Sequence, residues 1–216
     1  MGRSGESSGG DTINIKQRVE QSENLIDWLD SFIEGLSVPA NDRAIIAAAC
    51  QDVALEHHKA IVLSTRYLFH ASAFGLVRIQ FEAYIRGAWL RHCASDEQVA
   101  RFKECDKLDR NFGQLIADLE CHEAFNVGVL SRIKAQSWKE MNSFTHTGLL
   151  QVVRRITSTT VEVMYPEEEV VGTLDFVDSI ALCSAIAIVD VVLGEPEEKE
   201  ELATQLLERM EQFAKQ

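Results

Sequence analysis

Apolar residues recur at helical spacing along almost the whole chain. Ile15, Val19, Ile26, Leu29, Ile33 and Leu36 predict a first helix over 12–36. The "SVPAND" segment at 37–42 ends it and starts a second helix, which runs to about Phe69. Ile46, Cys50, Val53, Ala60, Ile61 and Tyr67 form the apolar stripe of that helix. A third covers about 71–94, with Leu76, Val77, Phe81, Tyr84, Ile85, Ala88 and Trp89 inward. The only breaker between the second and third is Gly75, so a single long kinked helix is the alternative.

Ser95 opens "SDEQ", a capping-box pattern, and 96–124 holds one or two helices. Another helix spans 128–147, with Gly148 as its C-cap, and a short one spans 149–156. "TSTTVEVMY" at 157–165 reads as extended, because β-branched residues and hydroxyls disfavour helix. Pro166 followed by three glutamates starts the next helix, which ends at Gly194. Pro196 with Glu197 and Glu198 starts the last. Leu202, Leu206, Met210 and Phe213 are its apolar stripe. These elements predict an all-α, single-domain bundle of about seven to nine helices. Residues 12–194 form the bundle, 1–11 a disordered Gly/Ser-rich tail, and 195–216 an acidic C-terminal helix packed on the bundle or extending from it.

Composition narrows the function. Of 216 residues 46% are hydrophobic, enough for a sizeable core, and only 3 are proline. Net charge is −13, and the segment 159–216 carries most of it, with 14 acidic and 3 basic residues. An acidic chain is a poor generic nucleic-acid binder, because that affinity comes mainly from neutralising phosphates. Five cysteines, none in CxxC spacing, argue against a disulfide framework and against zinc. They read as small buried apolar residues in a reducing cytoplasm. The longest apolar run, 180–193, has 14 residues with Asp190 inside. It is too short for a membrane span and fits a central core helix or, second, a dimer seam.

There is no Walker A loop, GxGxxG, GxSxG or HExxH motif. No metal or cofactor is expected. The candidate chemistry lies in polar residues on apolar helices. Arg78, Glu82 and Arg86 are spaced i, i+4, i+8, as a surface salt ladder or as a charge row bracing a cleft. His57 falls in the register Val53–His57–Ile61, as a core histidine or a site residue. Asn142 and His146 share a face at a helix end, where they satisfy the last carbonyls or point into a pocket. Gln151, Arg154 and Arg155 share a face in the next turn.

The blocks Arg78-x-x-Phe81-Glu82-x-x-x-Arg86-x-x-Trp89, Thr145-His146-x-Gly148 and Arg154-Arg155 resemble a group of bacterial all-helical proteins of similar length. That group is similar, more distantly, to the HEPN superfamily. The resemblance spans about residues 55–190. It implies a helical bundle, often dimeric. Some HEPN members are metal-independent ribonucleases of defence or toxin–antitoxin systems, and others are non-catalytic. The nuclease motif is an arginine and a histidine with four to six residues between them, which Arg86 and His92 match with five between. On a continuous helix those two face about 240° apart, and they converge only if the helix breaks near Trp89.

Two functions are therefore expected. The first is a non-catalytic ligand- or partner-binding protein, with a second copy or a basic protein at the acidic C-terminal helices as partner. The alternative is a ribonuclease. There His146 is the acid/base, Arg86 or Arg155 holds the phosphate, and RNA or a nucleotide is the ligand.

Overall fold

The computed structural model describes residues 14–214. The expected tail at 1–11 and a helix start at 12 lie outside them, as does the side chain of Phe213. Nine α-helices are present among the described residues, and no strand. Helix α1 (Ile15–Ile33) starts at Asn14, whose side chain accepts from the backbone N–H of Gln17. Asn41 caps α2 (Asp42–Arg66) in the same way. Then come α3 (His70–His92), α4 (Asp96–Cys105), α5 (Phe112–Glu120), a 3-10 turn at Glu123–Phe125 and α6 (Val129–Thr145). Helices α7 (Leu149–Val153), α8 (Glu167–Val191) and α9 (Pro196–Ala214) complete the order. The capping box at Ser95 forms as its sequence predicts, and Asn111 with Gln114 makes a second one at α5.

Helices α2 and α3 are separate. The break falls at Leu68, which takes a left-handed φ of 62°, and Gly75 lies inside α3. The two form an antiparallel hairpin in which Gln51 donates to the carbonyl of Tyr84 at 3.2 Å. Gly87 permits their close approach: a Cβ there would lie 2.8 Å from the Cβ of Cys50.

Helix α8 is the central helix. It packs on α1, α2, α3 and α9, and Val177, Ile180, Ala181, Leu182, Ala185 and Val189 are buried. Leu206 of α9 is buried in the cluster formed by Leu25, Leu29, Leu182 and Val189. Three expectations are corrected. Val53 and Tyr67 face outward, Tyr67 being 61% exposed, because α2 carries apolar residues on more than one side and a different arc meets the core. That arc is Ala44, Ala47, Ala54, Leu55, Ile61 and Val62. Cys105 and Cys121 are exposed and the other cysteines half-buried, since they sit at helix ends and edges. Finally, α6 ends at Thr145 and the left-handed residue is Thr147, φ 52°. Gly148 has an ordinary negative φ and is needed because a Cβ would lie 2.5 Å from the Ser143 Oγ.

One buried polar network ties α1, α2 and α8 together. Asp178 is fully buried. Its Oδ2 accepts from Arg18 Nη2 at 2.7 Å and from Ser22 Oγ at 2.8 Å, and its Oδ1 accepts from His58 Nε2 at 2.5 Å. Arg18, itself buried, also donates to Ser22 Oγ and, at the edge, to Asp175. Removing one partner of such a network strands the others without water. Asp178→Ala is therefore expected to lower stability by about 3–5 kcal/mol in urea unfolding. Asp175→Ala, removing a carboxylate that is 56% exposed on the same arginine, is expected to cost less than about 1 kcal/mol.

Candidate functional site

The polar residues singled out in the sequence fall into three separate places. The first is the seam of α3 and α6. Arg78 pairs with Glu82 at 2.8 Å, lies over the Trp138 ring at 4.7 Å, and donates to His146 Nε2 at 2.7 Å. Trp138 in turn stacks on Phe112 at 4.3 Å. A guanidinium has no acceptor, so this contact makes Nε2 of His146 the acceptor and leaves the ring proton on Nδ1. His146 is exposed, Asn142 stands half-buried one turn before it, and Arg78 is already engaged on three sides.

The second place is the far side of the α2–α3 hairpin. Arg86 lies there, two turns beyond Arg78 along α3. Its Nε is buried without a hydrogen bond, and its positive charge acts on Cys50 of α2. His57 is half-buried on the flank of α2 that turns towards α3. Helix α3 continues unbroken to His92, so Arg86 and His92 do not converge. His92 instead packs against His122 and Phe125 near Asp190.

The third place was only half legible. Helix α7 is a single turn that lays Gln151 on α3, its Nε2 donating to the Ala71 carbonyl at 3.0 Å. The following segment folds back on α7: the backbone N–H groups of Met164 and Glu162 donate to the carbonyls of Arg154 and Arg155. That return carries Tyr165 to the start of α3, where its ring lies 5.1 Å from His70 and 5.0 Å from Phe74. Arg154 pairs with Glu169 of α8. Arg155 has no ion pair among the described residues and lies close enough to act on the Tyr165 hydroxyl, without a hydrogen bond of good geometry.

Unsatisfied polar atoms concentrate here. Nδ1 of His70, the hydroxyl of Tyr165 and Nε of Arg154 are all buried without a hydrogen-bond partner among the described residues. His70 is 7% exposed and is the first residue of α3, a helix whose N-terminus has no side-chain cap. Burial, and then the charge of Arg155, hold the His70 imidazole below its ordinary value of 6.5. Burial raises the Tyr165 hydroxyl, and the two arginines oppose that rise. On the other side of Phe74 opens a cleft of about 450 Å³ between α3, α6, α7 and α8. Phe74, Met141, Phe144 and Phe176 give it an apolar wall, with Arg154 and Glu169 at its polar edge. Gly172 leaves room there, since a Cβ would meet nothing within 4 Å.

His70 and Tyr165 were missed in sequence. The only signals were a histidine at a helix start and an aromatic residue ending a run of hydroxyl and β-branched residues. No group of three or more His, Cys, Asp or Glu side chains among the described residues is placed to hold a metal ion.

A family model described as a family of unknown function, DUF6988, matches residues 51–215, and the chain belongs to that family. No curated protein and no solved structure matches it. The matched stretch contains α3, α6, α7, α8 and thus every residue of the third place. No helix among the described residues is long and apolar enough to cross a membrane.

The lowered His70 fixes the sign of a pH effect. The folded state binds its proton less readily than the unfolded state does, so the stabilisation is complete above about pH 6.5 and declines as pH falls below it. Thermal melts from pH 7.5 to 5 are expected to show a falling Tm, with a shallower slope in His70→Phe.

Proposed function

We propose that the chain is a HEPN-like, non-catalytic binding protein whose ligand is a small organic anion, a carboxylate or phosphate on an apolar body. One observation carries this. Three buried polar groups without hydrogen-bond partners among the described residues, on His70, Tyr165 and Arg154, gather beside Arg155, which has no ion pair among those residues. A buried unsatisfied donor costs about 1–3 kcal/mol, so three together favour an acceptor that arrives from outside. The uncapped start of α3 adds backbone N–H groups of the same polarity. The aromatic cleft beyond Phe74 would take the apolar body, and Arg154 links the two.

The ribonuclease alternative is less well supported. It needs an acid/base histidine beside a free phosphate-holding arginine. The Arg86–His92 motif is split across an unbroken helix, and His146 is occupied by Arg78, which is itself held by Glu82 and Trp138. A role in bacterial defence would then be one of sensing or scaffolding.

Calorimetry with phenyl phosphate and phenylacetate, against inorganic phosphate, tests this. The aromatic anions are expected to bind more tightly than phosphate alone. Arg155→Ala should weaken them about tenfold or more, as loss of a charge-assisted contact does, while Arg78→Ala leaves binding unchanged. Equal affinity in Arg155→Ala would sink the proposal. So would cleavage of a mixed RNA pool in EDTA that disappears in folded His146→Ala.

A further inference from the structure

Helices α3 and α5 end side by side, and each ends on a cysteine. Cys93 follows the last residue of α3 and Cys121 the last residue of α5. Two contacts fix how the ends lie. The indole N–H of Trp89 donates to Asp118 Oδ2 at 2.9 Å, and the rings of His92 and His122 are 4.8 Å apart. Cys93 stands one turn beyond Trp89 on the same side of α3, and Cys121 one turn beyond Asp118 on the same side of α5. Both thiols thus continue a line of contact that already joins the helices, and the charge of Cys121 acts on Cys93. Cys50 and Cys183 have other neighbours, Arg86 and Tyr84. We infer that Cys93 and Cys121 form a dithiol site for a low-molecular-weight disulfide, which oxidises the pair to a bridge between α3 and α5.

The two thiols differ in the way such a site needs. Cys121 is exposed at a helix end and fills no core, so packing does not account for a cysteine there. Cys93 is half-buried against the main core cluster. Burial first, then the charges of Asp118 and Cys121, push its thiol up to about 11, so it stays protonated at neutral pH. Cys121 is therefore the thiol that meets the reagent, and Cys93 the one that resolves. Cys121 loses its proton to water and attacks one sulfur of the incoming disulfide. The other sulfur leaves as a thiolate and takes up a proton. Cys93 then gives up its proton and attacks the Cys121 sulfur, and the second small thiolate leaves with that proton. Two protein thiols are oxidised by two electrons, and one disulfide is reduced to two small thiols.

The bridge closes the chain from 93 to 121 into a loop that holds α4 and α5. At its other end α5 carries Phe112, stacked on Trp138 of α6, so the oxidised form ties down both ends of a short helix. One reversible bridge is not the structural framework that the cysteine spacing argues against. The pair lies at the opposite end of α3 from His70 and Tyr165, so it stands or falls independently of the ligand proposed above.

Excess glutathione disulfide on the reduced full chain tests this, read by intact mass and by peptide mapping after the remaining thiols are alkylated. Trypsin cuts after Arg91, Arg101, Lys103, Lys107, Arg110 and Arg132, so Cys93, Cys105 and Cys121 fall on separate peptides. The expected product has lost a pair of hydrogens, carries no glutathione, and joins the peptides of Cys93 and Cys121. Its Tm should rise by about 5 °C or more and fall back with dithiothreitol. In variants shown to be folded by circular dichroism, Cys93→Ser should stop at a glutathione adduct on Cys121, and Cys121→Ser should leave Cys93 free. Cys105→Ser should behave as the wild type. A wild type that keeps glutathione on Cys121 with Cys93 free, that joins either residue to Cys105, or that keeps both thiols free would overturn the inference.

Discussion

Everything in this bundle is arranged around one carboxylate that cannot be left alone. Asp178 sits in the middle of the most apolar helix, fully buried, and receives Arg18 and Ser22 from α1 and His58 from α2. An isolated ionised carboxylate in such a place would be prohibitively costly, and the three donors offset that cost only in one arrangement. A slide of α1 or α2 by one turn would move its donors away by about 5 Å. Apolar side chains tolerate such slides, since Ala, Val and Leu contacts are interchangeable. The network therefore acts as a register pin as well as a source of stability, because a shift of α1 or α2 along α8 takes its donors away from Asp178.

Once α1, α2 and α8 are registered, the α3 side follows. Gly87 brings α3 hard against α2, and Gln80 of α3 donates to the Val177 carbonyl of α8, next to Asp178. Phe81, Ile85 and Trp89 then face α5, α6 and the far end of the core. The start of α3 is left to be finished by α7 and the return segment 157–165. These pieces are short and joined by turns, and it is here that polar atoms remain unsatisfied. Rigidity at α8 and incompleteness at the other end of α3 are two aspects of one design: long helices hold the frame, and a small loop-borne cap carries polar groups that the frame does not use.

Much of this was legible in the chain, and the failures have physical causes. Helix positions followed from period and caps, because a 3.6-residue repeat survives any tertiary context. Faces did not follow where a helix carries apolar residues on more than one side. In α2 the period admits two stripes, so the choice of Val53 and Tyr67 as inward residues was open to reversal, as was His57 over His58. Burying His58 needs a carboxylate 120 residues away, and no local pattern announces that. Arg18 was invisible for the same reason: a charged residue on a predicted helix reads as surface unless its partner is known. The α2–α3 break rests on Leu68 in a left-handed conformation, the last residue type from which a turn would be read. Among site residues, Arg78 and Glu82 pair as their i, i+4 spacing predicts, whereas His146 reaches Arg78 from the end of α6, 68 residues on, which no local pattern announces. Arg86 was grouped with them wrongly, since eight residues along a helix also means a rotation of about 80°.

That rotation separates a structural role from a binding one. Residues eight apart on α3 share a charge and a sequence pattern, yet Arg78 is covered by Glu82, Trp138 and His146, whereas Arg86 has no ion pair among the described residues. The same contrast holds between Arg154, which has Glu169, and Arg155, which has no ion pair among the described residues. In a chain with 34 acidic residues against 21 basic ones, acids are plentiful. An arginine that stays half-buried without one is therefore not explained by scarcity. Its desolvation is an unfavourable term that the isolated chain leaves standing, and it vanishes when an anionic group arrives. Arg155 is where this argument bears on the cleft, and its surroundings say what should arrive there. A recess of polar donors next to an aromatic cleft suits a small anion.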